Sequence, residues 1–83
     1  MDRLTLMRAY VETVSSGGFA AAARKLNLSR SAVSKYVQDL EALLGAQLLQ
    51  RTTRVVSPTP AGLAYLERAK AILADVADAE ASV

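Results

Sequence analysis

The chain contains no cysteine and no histidine. Those two absences together remove disulfides, thiolate nucleophiles, zinc sites of the usual Cys/His kind and histidine general bases. The acidic residues offer no substitute. Glu67, Asp75 and Asp78 read as a solvated helix face and form no metal or acid–base cluster. No enzyme activity, metal or cofactor is therefore expected. Long apolar runs are missing too, and Arg3 and Arg8 interrupt the N-terminus, so the expectation is a cytoplasmic protein without a membrane partner. No linker or low-complexity segment is visible.

What is present is small and rich in alanine. Eighty-three residues make one small domain, near the size at which burial alone is marginal. Sixteen alanines sit within a hydrophobic fraction of 52%, so the apolar volume is smaller than that fraction suggests. The net charge of +2 is weak evidence of any partner, but its distribution is better evidence. Residues 1–60 carry eight cations (Arg3, Arg8, Arg24, Lys25, Arg30, Lys35, Arg51, Arg54) against Asp2, Glu12, Asp39 and Glu41. Residues 61–83 carry two cations against Glu67, Asp75, Asp78 and Glu80. A basic body with a mildly acidic tail suggests that the body meets an anionic polymer.

The most informative stretch is AAAARKLNLSRSAVSKYVQDLEALLG, residues 20–45. It reads as a short Ala-rich helix, a turn at Asn27-Leu28-Ser29 and a longer helix capped by Ser29. On a helical wheel, Arg30, Ser31, Ser34, Lys35 and Gln38 share one side. Ala32, Val33, Tyr36, Val37, Leu40, Leu43 and Leu44 occupy the other. A helix packed on a protein body and offering cations, hydroxyls and an amide to a DNA major groove needs this division.

The remaining elements frame it. A first helix is expected from 2 or 3 to 15, with Asp2 as cap, Leu4, Met7, Tyr10 (or Val11) and Val14 at helical spacing, and Gly17-Gly18 as its stop. The second helix spans about 19–26, with Phe19 anchored in the core, and the third stops near Gly45. Segments 47–51 and 54–57, separated by Thr52-Thr53, are strand candidates for a hairpin with an arginine on each side of its tip. Thr59 caps a fourth helix with Pro60 at its first position, running at least to 78. Its last turns carry Asp75, Asp78 and Glu80, the wrong sign for a helix C-terminus, and no Gly or Pro follows. The helix is therefore expected to continue, in a longer protein, toward another domain.

This order of elements resembles the N-terminal DNA-binding domain of LysR-type transcriptional regulators over essentially the whole chain. Five features carry the resemblance, in order and at the right distances: an Ala pair, S-x-S-A-V-S-K, L-E-x-x-L-G, L-x-R-T-T-R and T-P-A-G. It implies a mainly α fold, a winged helix-turn-helix of three helices and a short β-hairpin wing (1–58), followed by a long linker and dimerisation helix (59–83). Arg30, Ser31, Ser34 and Lys35 match the groove-facing residues of the family, and Arg51, Thr53 and Arg54 match its wing. Gln38 is a further candidate on the same helix face. Where the family often has Gln, Arg30 would favour guanine over adenine. The family usually has hydroxyl residues where this chain has Gly18 and Ala20, which leaves the second helix without a side-chain cap. Tyr36 is also atypical, and its place on the wheel assigns it to packing.

For the fourth helix, Gly62, Leu66, Ala69, Leu73 and Val76 are spaced as a heptad seam, and Tyr65, Ala69, Ile72, Val76 and Ala79 form a second. The first is assigned here to dimerisation and the other to the domain body. The expected function is sequence-specific binding of double-stranded DNA, as a homodimer on a partly palindromic operator, with tetramers open in the full-length protein. A small-molecule effector would act only through an absent C-terminal domain. Two other readings fit the same residues: a winged-helix module used for protein assembly, and the winged domain of another regulator type, such as the molybdate-responsive ones.

Overall fold

The computed structural model describes residues 2–50 and 56–83. Among these residues the order is α1 (Arg3–Ser16), α2 (Phe19–Leu26), α3 (Arg30–Leu44), β1 (Leu49–Gln50), β2 (Ser57–Pro58) and α4 (Pro60–Ala81). Short polar residues set the helix starts. Asp2 accepts the Thr5 N–H at 2.9 Å, Ser29 accepts that of Ala32 at 3.1 Å, and Thr59 accepts that of Gly62 at 2.9 Å. The Thr5 amide holds the Asp2 carboxyl below its ordinary pKa, as a negative cap at a helix start should be. The stops are equally local: Gly17 at φ 88° and Gly45 at φ 67° close α1 and α3 in the left-handed region. Asn27 does the same for α2 at φ 57°, and the Leu28 amide reaches back to the Ala23 carbonyl at 2.9 Å.

Helix α2 has no side-chain cap, as the sequence implied. Gly18 is its N-cap, with φ 165° and ψ 172°, and nothing lies within 4 Å of a Cβ added there. Any residue adopts that extended backbone. Gly18→Ser should therefore stabilise the domain by a few tenths of a kcal/mol, since a serine oxygen could accept an early α2 amide. A rise of about 1–3 °C in melting temperature checks it; a fall would mean the serine hydroxyl turns away from the amides.

The three-helix core closes around Tyr10, Val33, Val37, Leu40, Ala9 and Ala22, all essentially inaccessible. Leu48, Leu49 and Leu66 complete it from the hairpin and α4. The face of α3 assigned to packing is buried at Val33, Val37 and Leu40 and half-buried at Ala32 and Tyr36. Leu43 and Leu44 depart from the wheel: in the last turn of α3 they are 46% and 40% exposed.

Among the described residues the hairpin is paired where the two strand segments begin and end. Its paired residues are Leu49 with Pro58 and Gln50 with Ser57, antiparallel. Pro58, which has no N–H to donate, stands at the base end of this ladder. Arg51, Thr53 and Arg54 lie outside the described residues.

Helix α4 corrects one assignment. Gly62, Leu66 and Ala69, expected to face a partner, are buried and face the chain's own core. The cause is at Gly62, where the helix passes so close to the Leu48 backbone and the Tyr10 hydroxyl that a Cβ would press on both. That contact fixes the helix's rotation. Tyr65 then meets Tyr10, ring centroids 5.8 Å apart and tilted by 57°. Further along, Leu73 and Val76 are only half-buried and Ile72 is 43% exposed. The first seam therefore belongs to the body over its N-terminal half.

Candidate nucleic-acid interface

The polar side of α3 starts at a capped helix terminus. Ser29 supplies the cap, and its hydroxyl also lies 3.2 Å from that of Ser31. Arg30, Ser31, Lys35 and Gln38 are exposed and Ser34 is half-buried, so the structure brings all five onto one open face. Lys35 is paired along the helix with Asp39 at 3.3 Å, its side chain 72% exposed. An exposed pair of this kind contributes a few tenths of a kcal/mol, so the ammonium is readily given to a stronger anion.

The α2 terminus adjoins this face. A shallow concavity is lined by Gly17, Gly18, Phe19, Ala20, Ala21, Arg24, Arg30 and Val56. Arg24 and Arg30 therefore both line a concavity at a helix start whose amides have no side-chain cap, and two cationic residues at such a terminus favour an anion such as a phosphate. Arg24, which the helical wheel does not place on the recognition face, lines this concavity beside Arg30. Lys25 lines a second concavity with Ser15, Ser16, Ala21 and Arg24, so Arg24 borders both.

Three further residues position the face, and sequence reasoning gave them no such part. The Glu41 carboxylate, on α3, accepts the Leu48 N–H at 2.7 Å and the Leu49 N–H at 3.3 Å. Tyr10 donates its hydroxyl to the Leu48 carbonyl at 3.0 Å, and that carbonyl also accepts the Thr59 N–H at 3.1 Å. Thr59 closes the set by donating its hydroxyl to the Gln47 carbonyl at 2.6 Å. Residues 47–49, the base of the hairpin, are thus held at once from α1, α3 and the start of α4. Burial, then the Glu41 charge and Tyr65, push the Tyr10 hydroxyl up to about 12, so it remains a donor well into alkaline solution. The signal was present in L-E-x-x-L-G, but one sequence does not show which amides a carboxylate will reach.

Among the described residues no group of acidic side chains is placed to hold a metal ion, and no helix is long and apolar enough to cross a membrane.

The comparisons agree with this geometry. An HTH-type transcriptional repressor of Pseudomonas aeruginosa is 42% identical over 83 residues, which is all of this chain and 26% of the relative. The HTH-type transcriptional regulator CrgA of Neisseria meningitidis is 48% identical over 71 residues, 86% of this chain and 24% of the relative. The chain thus spans about a quarter of the length of the curated relatives it matches. The crystal structure of the BenM DNA-binding domain with benA site 1 DNA superimposes with a TM-score of 0.92 at 34% identity, covering 99% of this chain and 91% of that one. The CbnR DNA-binding domain–DNA complex gives 0.87 at 33% identity, with 99% and 93% covered. The description of bacterial regulatory helix-turn-helix proteins of the lysR family matches residues 4–63. This chain belongs to that family, as a winged helix-turn-helix DNA-binding domain.

Proposed function

We propose that this domain binds a partly palindromic operator in double-stranded DNA, sequence-specifically and as a homodimer, within a cytoplasmic transcriptional regulator. Residues 1–58 are the reading unit and 59–83 the dimerisation helix. The observation that carries the reading is the open face of Arg30, Ser31, Ser34, Lys35 and Gln38 at the start of a core-packed helix. Arg30 is the base reader, bidentate to guanine, with Ser31, Ser34 and Gln38 beside it. Arg24 and Lys35 neutralise phosphates, and Arg51, Thr53 and Arg54 contact the backbone from the wing. An assembly module has no use for cations at this place.

Two substitutions separate reading from attraction. Arg30→Ala should cost about 1–3 kcal/mol on the selected operator and relax one base position. Arg54→Ala should weaken operator and scrambled DNA about equally, as a phosphate contact does. Equal losses on both DNAs for Arg30→Ala would remove it from the base readers.

For the dimer, the surface left free on α4 shifts the pairing seam to Ile72, Leu73, Val76 and Ala79, beyond the body. Two such helices side by side set the readers at a fixed separation. Ile72→Glu should give a folded monomer by sedimentation, with half-site binding retained and affinity for the two-half-site operator lost. A variant that remains dimeric would place the contact elsewhere.

A further inference from the structure

We infer that Phe19 is a specificity determinant whose ring receives the C5-methyl group of a thymine beside the guanine read by Arg30. The inference rests on the base-reading role proposed for Arg30. Phe19 was expected to be a core anchor, and part of its ring does pack against the core cluster. The ring is only half-buried, however. Its remaining surface opens into a concavity on the recognition face lined by Phe19, Arg30, Ser31 and Ser34. Of those four side chains only Phe19 is apolar.

The chemistry of base edges makes that patch selective. In the major groove the thymine methyl stands out as an apolar group among donors and acceptors, and phenylalanine is one of the side chains that contact it. Ser31 and Ser34 are too short to fill the concavity, and the Ser31 hydroxyl lies 3.2 Å from that of Ser29. A ring at its edge can cover a methyl without displacing either serine. Arg30 lines the same concavity, so the base it reads and the base that Phe19 touches are neighbours, about 3.4 Å apart along the helix. Phe19 also lines the adjoining concavity with Arg24 and the α2 terminus, so it stands between the phosphate side and the base side of the surface.

The test is a thymine-to-uracil scan. An operator is selected from random duplexes, and each thymine is replaced singly by deoxyuridine, which removes one methyl and nothing else. The unaltered protein should lose about fourfold in affinity at one position per half-site, next to the Arg30-dependent guanine, from the apolar area no longer buried. Phe19→Leu, which keeps the core filled, should reduce that penalty to less than about twofold, and Phe19→Ala should abolish it where the variant folds. A uracil scan that is flat beside that guanine overturns the inference whatever the variants do. So does a penalty that persists at full size in folded Phe19→Leu. If Arg30→Ala loses operator and scrambled DNA equally, base reading itself fails and this inference falls with it; a flat scan with Arg30 dependence intact overturns Phe19 alone.

Discussion

Raising salt from 50 to 200 mM should weaken duplex DNA binding by about 10⁴-fold. The expectation follows from counting cations that can reach phosphates. Arg30, Lys35 and Arg24 are exposed on or beside the recognition face, and Arg51 and Arg54 are assigned to the wing from the sequence. If about four of these act per protomer, a dimer releases counterions from about eight phosphates, and log K falls with log salt at a slope near −7. The Lys35–Asp39 pair lowers the gain from Lys35 slightly but does not change its sign. Fluorescence titrations at four or five salt concentrations give the slope directly. A slope between about 0 and −2 would fit contact by one or two phosphates only. That result would sink the DNA-reading proposal in favour of an assembly module.

Gly62→Ala should cost about 3 kcal/mol or more, a large part of the roughly 4–12 kcal/mol available to a domain of this size. The added carbon would press on the Leu48 carbonyl oxygen, its carbon and the Tyr10 hydroxyl. Two of those three atoms are backbone, which cannot swing aside as a long side chain would. Relief requires moving α4 off the hairpin base, which breaks the Thr59 contacts to Gln47 and Leu48. The expected drop in melting temperature is roughly 10–20 °C. Adding Tyr10→Phe removes one of the obstructions and should recover only a minor part, because the carbonyl remains. A Gly62→Ala variant within about 1 kcal/mol of its parent would show that α4 slides freely on the body.

That glycine marks the boundary of what the sequence made legible. Helix starts and stops were readable because each depends on one or two neighbouring residues: Asp2, Ser29 and Thr59 as caps, Gly17 and Gly45 as stops. The division of α3 into an open and a packed side was readable too, because periodicity encodes it. Helix α4 was harder. Its two heptad seams overlap, so the pattern gives a wide apolar stripe but not the rotation of the helix on the body. A contact distant in sequence, Gly62 against Leu48 and Tyr10, decides that rotation, and it turned three residues assigned to a partner into core. The exposed Leu43 and Leu44 escaped for the same kind of reason: α3 outruns the helices that cover it. At the candidate site, Arg30, Ser31, Ser34, Lys35 and Gln38 share an open face as the wheel placed them. The concavity joining Phe19 and Arg24 to Arg30 comes from packing α2 on α3, which no linear pattern states.

The acceptor at Leu48 also orders events in time. Tyr10 and Leu48 are 38 residues apart, whereas Glu41 lies seven residues from Leu48. The Glu41 clamp closes a short loop and can form as soon as α3 exists; the Tyr10 bond must wait until α1 has docked. Completion of the hairpin base therefore follows the docking of α1, although its first contact, the Glu41 clamp, needs only α3.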